Sequence, residues 1–122
     1  MQAYFEGYAQ AFVDRDWAQI ERHFAYPCLL ADRAGVDVIH GADELDQHLQ
    51  GFLAMLAERG VSAIGADVRA HTQPDAAHAT AHVAYALQDD LGQTLETFAF
   101  LYVLVKGRAG DWKIRLAEWL GP

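Results

Sequence analysis

Three histidines of the chain could meet on one face of a β-sheet and bind a metal ion. His71 and His78 flank the turn at Pro74-Asp75, and an even-length loop would place them opposite each other, with His82 two rows away. The same register places His82 opposite Asp67. No nearby Glu or Cys completes a recognisable ligand spacing. We therefore interpret the imidazoles as lying on the outer side of the sheet, and we expect neither a metal nor another cofactor.

The composition predicts one globular domain, residues 1–122, with no affinity for nucleic acid or anionic membranes. The 122 residues are 52% hydrophobic and 21% charged, which is ordinary for a domain with its own core. Seventeen acidic residues against nine Lys and Arg give a net charge of −8, without any basic cluster. Cys28 is the single cysteine, no apolar run is long enough to span a membrane, and the N-terminus lacks a signal-peptide pattern. We expect a soluble cytoplasmic protein.

The order of the predicted elements indicates an α+β domain. Apolar residues at helical spacing predict a first helix over Gln2–Arg15, and Asp16 caps a second, short helix that Pro27 ends. A third helix follows Gly41 and ends at Gly60. Helices first and then a meander predict an antiparallel sheet. The predicted strands are Cys28–Asp32, Val36–His40, Ser62–Gln73, Ala76–Gln88, Thr94–Lys106 and Asp111–Leu120.

The strand Thr94–Lys106 is the centre of the predicted sheet. It is rich in β-branched and aromatic residues, and both of its alternating faces are largely apolar, so both must be covered. The chain's own helices can cover one face. We expect a second copy of the chain to cover the other, giving a homodimer through the outer sheet face. The residues predicted for that interface are Phe98, Phe100, Tyr102 and Trp119.

The turns between the strands predict which residues face inward. A five-residue loop before the central strand places Tyr85 on the same side as Thr97, and a four-residue loop before the last strand places Glu118 opposite Ala99. All the hairpins then agree on one apolar inner face, which would line a pocket. The residues predicted to line it are Phe12, Tyr85, Thr97, Ala99, Leu101, Ile114 and Leu116.

Four short motifs resemble the nuclear-transport-factor-2-like superfamily. They are Tyr8-Ala-Gln-Ala-Phe-Val-Asp-Arg-Asp16-Trp17, His23-Phe-Ala-Tyr-Pro27, Gly41-Ala-Asp-Glu-Leu45 and Asp111-Trp-Lys-Ile114. The resemblance covers nearly the whole chain in element order. It implies a cystatin-like α+β roll, in which a cone-shaped, curved antiparallel sheet wraps around N-terminal helices and leaves a pocket. The superfamily includes ketosteroid isomerases, polyketide-cyclase-like enzymes, dehydratases and non-catalytic binding domains.

The resemblance to ketosteroid isomerases implies roles for two residues. In that family a first-helix tyrosine donates to the developing oxyanion and a first-strand aspartate shuttles the proton. Tyr8 and Asp32 keep those intervals from Asp16. The family's third group, a protonated acid, falls near Ala99, and we predict that Glu118 supplies that carboxyl from the neighbouring strand. An aspartate beside an apolar cavity has its charged form disfavoured, which suits a base near neutral pH.

Each of these three residues also has a purely structural interpretation. Tyr8 would pack in the core with its hydroxyl reaching water, Asp32 would belong to the hairpin turn, and Glu118 would be solvated on a fraying strand.

Two functions therefore fit the sequence. The first is a homodimeric domain that binds a small apolar ligand. The alternative is a proton-transfer enzyme (an isomerase, cyclase or dehydratase) with Asp32 as base and Tyr8 as oxyanion donor. We favour the binding domain and leave catalysis open, because a missing oxyanion donor costs roughly two to three powers of ten in rate.

Overall fold

A single six-stranded sheet curves around the helices without closing into a barrel. The computed structural model describes residues 1–122. The strand order is β2-β1-β6-β5-β4-β3, and all neighbouring strands are antiparallel except β1 and β6, which are parallel. The predicted α+β class and curved sheet are confirmed. The elements are α1 (Gln2–Val13), α2 (Trp17–Arg22), β1 (Phe24–Asp32), β2 (Gly35–Ile39), α3 (Ala42–Glu58), β3 (Ala63–Thr72), β4 (His78–Gln88), β5 (Thr94–Lys106) and β6 (Trp112–Gly121).

Local sequence signals set most of the helix ends. The Asp16 side chain caps α2 by accepting a hydrogen bond from the Gln19 N–H at 3.3 Å, as predicted. Gly60, just past α3, has a φ of +67°, a backbone conformation that glycine adopts without strain. The prediction that Pro27 ends α2 is wrong, because the chain enters β1 earlier. Phe24 is buried and pairs with Ile114 of β6. None of the helices combines the length and the apolar composition that crossing a membrane requires.

Helix α1 packs on the concave side of the sheet and is tied to its edge strand, β3. The side-chain amide of Gln2 donates to the Ala66 carbonyl at 2.7 Å and accepts from the Val68 N–H at 2.9 Å. These two bonds satisfy backbone groups of β3 that a bare sheet edge would leave open. The buried side of α1 carries Phe5, Tyr8, Ala9, Ala11 and Phe12.

The predicted inner face of β5 is wrong, and one extra residue explains why. Gln88 pairs with Thr94, as the loop length predicts, but Leu87 pairs with Glu96, which leaves Leu95 as a bulge. Because strand side chains alternate, one additional residue turns over every side chain that follows it. The inward residues of β5 are therefore Phe98, Phe100, Tyr102 and Leu104, and the outward ones are Thr97, Ala99, Leu101, Val103 and Val105.

This inversion also corrects the predicted dimer interface. The aromatic set Phe98, Phe100, Tyr102 and Trp119 lies on the concave side, which faces the chain's own helices, and not on the outer face where the interface was predicted.

The registers of β3 and β6 also differ from those predicted. In β6, Ile114 pairs with Leu104 and faces inward, whereas Glu118 pairs with Leu101 on the outer face. In β3, His71 pairs with Ala81 rather than with His78. His78 instead contacts Asp75, with its Nδ1 at 2.9 Å from the carboxylate.

Candidate ligand-binding site

A cavity of about 610 Å³ lies between the concave face of the sheet, α1 and α3. Seventeen of the 21 residues that line it are hydrophobic. This volume, and an apolar wall with few polar groups, are typical of small-molecule sites. The aromatic part of the wall consists of Tyr8, Phe12, Phe24, Phe52, Tyr85, Phe98, Phe100, Tyr102 and Trp119.

Helix α3 spans the cavity and is held at its two ends. Leu45 and Leu56 are fully buried, whereas Leu49, Phe52 and Met55 lie between them, half-buried, and line the cavity. All five belong to one stripe at helical spacing. The stripe that anchors the helix therefore also forms one wall of the cavity.

Three tyrosines bring hydroxyl groups into the interior of the cavity. The Tyr85 and Tyr102 hydroxyl oxygens lie 2.8 Å apart and share a hydrogen bond. The Tyr8 hydroxyl has no hydrogen-bond partner within the chain. It is not fully shielded from solvent, because the hydroxyl of Tyr26 is the one solvent-inaccessible side-chain polar atom that lacks a hydrogen-bond partner. A bound molecule that reaches Tyr8 would therefore find an unused donor.

These hydroxyls keep their protons at neutral pH. Burial raises the pKa of Tyr8 and of Tyr102 well above the ordinary 10.0, and it raises the pKa of Tyr85 as well. Edge-to-face contacts hold the rings in place, with the Tyr8 ring centre 5.1 Å from that of Phe12 and 6.2 Å from that of Tyr102. The site thus presents fixed, neutral donors in an apolar wall.

The charged lining residues lie at the mouth of the cavity. Asp32 is exposed, and its Oδ1 accepts hydrogen bonds from the N–H groups of Ala34 and Gly35 at 2.8 and 3.2 Å, which fixes the β1–β2 turn. Glu96 forms an ion pair with Arg59 at 2.9 Å. The lining residues with a basic side chain are Arg33 and His48.

Four of the sequence-predicted site residues come together at this cavity. Tyr8, Phe12, Asp32 and Tyr85 all line it, with Asp32 at the mouth. Ile114 faces the same side but is fully buried in the core and does not line the cavity.

The other predicted site residues do not reach the cavity, and their predicted inward orientation is wrong. The bulges in β5 and β6 turn them to the convex face, where Glu118 lies opposite Leu101 and cannot supply a carboxyl to the site. The residues concerned are Thr97, Ala99, Leu101, Leu116 and Glu118.

The lining residues that the sequence prediction lacks include the inward aromatic residues of β5 and β6. The sequence shows their alternation, at Phe98, Phe100 and Tyr102, but the predicted register places these side chains on the opposite face. Arg33 and Trp119 were also missed. No local signal places a residue of the β1–β2 turn beside the end of β6, because this proximity results from the parallel pairing of β1 and β6.

Helices packed in a curved sheet that leaves an apolar, tyrosine-bearing cavity define a protein of the nuclear-transport-factor-2-like class. Residues 1–118 match the family described as NTF2-like protein (DUF6841), and the chain belongs to this family. Among curated proteins, none matches the sequence.

Solved structures share the fold at low sequence identity. An NTF-2 like protein of unknown function from Shewanella oneidensis aligns with a TM-score of 0.71 and 14% identity, covering 94% of this chain and 91% of that one. A domain of unknown function with a cystatin-like fold from Nostoc punctiforme gives 0.72 and 16%, covering 99% and 74%. A ketosteroid isomerase-like protein from Erwinia carotovora atroseptica gives 0.62 and 19%, covering 95% and 90%. At these identities the similarity establishes the fold alone.

Proposed function

We propose that this domain binds a small, mainly apolar molecule that carries an oxygen able to accept a hydrogen bond. The observation that carries the proposal is the unpartnered hydroxyl of Tyr8 in a largely apolar cavity. Apolar contact supplies most of the affinity of such sites, and the few polar groups fix the ligand's orientation. A hydrogen bond to a ligand carbonyl contributes about 0.5–1.5 kcal/mol.

Prodan, a neutral naphthalene with a ketone carbonyl, is a suitable probe because its emission shifts to the blue in an apolar site. We expect saturable binding to the wild-type protein. Tyr8→Phe should weaken it about three- to tenfold, since the variant keeps the ring and removes the donor.

Tyr4→Phe is the matched control. The Tyr4 hydroxyl donates to the His23 carbonyl at 3.1 Å and does not line the cavity, so its loss should leave Prodan affinity unchanged. Equal effects of the two substitutions, or no saturable binding to the wild-type protein, would contradict the proposal.

Proton transfer is the second candidate function, and it is favoured by the fact that Tyr8 and Asp32 line the same cavity. Asp32 would remove a proton next to a ligand carbonyl while Tyr8 donates to the carbonyl oxygen. Two features weigh against it. Glu118 lies on the convex face, and Oδ1 of Asp32 already accepts two backbone hydrogen bonds.

Deuterium exchange distinguishes the two functions. A base at Asp32 would catalyse exchange at the carbon beside the Prodan carbonyl in D₂O, and NMR would detect this loss of proton signal. Asp32→Asn would then abolish the exchange and leave Prodan binding intact. Exchange no faster than in buffer would restrict the domain to binding.

We also propose that the domain forms a homodimer through its convex sheet face. The apolar residues on that face are not the ones predicted from the sequence. Leu101 is 37% exposed, and Val103 and Leu116 lie beside it. Sedimentation at micromolar concentration should show a dimer that Leu101→Glu dissociates. A wild-type monomer would contradict the proposal.

A further inference from the structure

We propose that the ligand of the cavity is an acid, and that Arg33 binds its carboxylate at the mouth while its apolar body fills the interior. This inference rests on the proposed binding function and specifies its ligand class. The starting observation is the state of the charged groups that line the cavity.

Arg33 is the one charged lining side chain without a partner in the chain. Glu96 is paired with Arg59, and the Asp32 carboxylate accepts hydrogen bonds from its own turn. His48 lies 3.6 Å from the carboxylate of Asp37. Arg33 forms neither an ion pair nor a hydrogen bond with any residue.

The guanidinium of Arg33 is nevertheless held in place. Its central carbon lies 5.3 Å from the ring centre of Trp119, and both residues line the cavity. The terminal nitrogen Nη2 also lies beside Gly121, and a cation–π contact uses none of the guanidinium's N–H groups as hydrogen-bond donors. The backbone beneath it is fixed by the hydrogen bonds that Asp32 accepts from Ala34 and Gly35. The donors are therefore preorganised at the boundary between the cavity and solvent.

A carboxylate is the group that these donors match best. Parallel N–H donors of a guanidinium bind both oxygens of a carboxylate, and charge-assisted hydrogen bonds are about twice as strong as neutral ones. The apolar interior excludes a second charge, because an unpaired buried ion is costly. The ligand class that fits is an amphipathic acid with its charge at one end.

The overall charge of the protein makes the binding of an acid depend on Arg33. With a net charge of −8, the protein repels a free acid at long range, and Asp32 adds to this repulsion at the mouth. A neutral molecule of the same shape meets no such repulsion. An anionic ligand therefore depends on Arg33 in a way that its neutral analogue does not.

The test uses a matched pair of fluorescent probes, 4-(1-pyrenyl)butyrate and its uncharged analogue 4-(1-pyrenyl)butanol. We expect the wild-type protein to bind the acid more tightly than the alcohol. Arg33→Gln should bind the acid about tenfold more weakly and the alcohol equally well. Arg33→Lys keeps the positive charge but loses the paired N–H donors. Its affinity for the acid should therefore lie between those of the wild type and Arg33→Gln. Arg108→Gln, in the β5–β6 turn away from the cavity, is the control and should change neither affinity.

Each outcome separates this inference from the function on which it rests. Binding of both probes with the same affinity in the wild-type protein and in Arg33→Gln would overturn the acid-binding role and leave the apolar binding function standing. Binding of neither probe would overturn both. Thermal unfolding of each variant confirms that it is folded. Disruption of the β1–β2 hairpin is then not mistaken for the loss of a ligand contact.

Discussion

The hydroxyl oxygens of Tyr85 and Tyr102 lie 2.8 Å apart on neighbouring strands inside the cavity. Either hydroxyl can donate to the other, so only one of the two protons is used between them. The other remains available for a ligand. Together with Tyr8, the pair gives the interior two unused donors in a wall that is otherwise apolar.

Removing either hydroxyl of this pair should lower the free energy of unfolding by more than half of the loss that results from removing both. Tyr102→Phe leaves the Tyr85 hydroxyl without its partner, and we expect a loss of about 1 kcal/mol in the free energy of unfolding. The double variant with Tyr85→Phe should lose less than the sum of the single variants, with a coupling of about 0.5–1 kcal/mol. Urea unfolding of the four proteins measures it. The Tyr85→Phe and Tyr4→Phe pair, which shares no hydrogen bond, should be additive.

The protein should become less stable as the pH rises above about 10. Burial, the largest cause in each case, raises the pKa of all five tyrosines above the ordinary 10.0. The unfolded chain then releases protons that the folded chain retains, so increasing pH favours unfolding. The ultraviolet absorbance of tyrosinate should therefore appear together with the loss of tertiary structure. Tyrosinate formed in a fully folded protein would show that the hydroxyls are more accessible than their burial indicates.

Filling the cavity should reduce ligand binding without reducing stability. Ala117 lines the cavity from β6, so the larger side chain of Ala117→Leu has space, and the unfolding free energy should stay within about 1 kcal/mol of wild type. Prodan binding should weaken. Ala81→Leu is the matched control, because Ala81 is 1% exposed and lies outside the cavity. Overpacking there should cost about 1–3 kcal/mol. Similar losses for both variants would mean that no space adjoins Ala117.

The two ends of α3 should matter more for stability than its middle. Leu45→Ala and Leu56→Ala each remove a fully buried side chain and should cost about 2–5 kcal/mol. Leu49→Ala opens onto an existing cavity and should cost only about 1 kcal/mol. Denaturant unfolding compares the three. Equal losses would show that the helix is packed uniformly along its length.

The sequence predicts the helices and strands of this fold better than it predicts which side of each strand points toward the helices. The bounds of β5 are as predicted, because β propensity and flanking turns mark both ends. Its facing is inverted, because both faces are apolar and the bulge at Leu95 carries no turn residue to signal it. The site shows the same division. Tyr8 and Asp32 are predicted from the family resemblance and their intervals from Asp16, and both line the cavity, whereas the contact of Arg33 with Trp119 depends on strand pairing between distant parts of the chain.

The bulge at Leu95 also determines which of the two chemically different sides of β5 faces the cavity. Deleting this one residue would restore simple alternation and turn the aliphatic side of β5, including Leu101 and Val103, toward the helices. The cavity would lose the aromatic side chains of β5 and the Tyr102 hydroxyl together, and Prodan fluorescence in the deletion variant would report the change. Because either side of the strand is apolar enough to be buried, a single insertion or deletion exchanges the side chains that β5 presents to the cavity, while Tyr8 and Tyr85 on other elements stay in place.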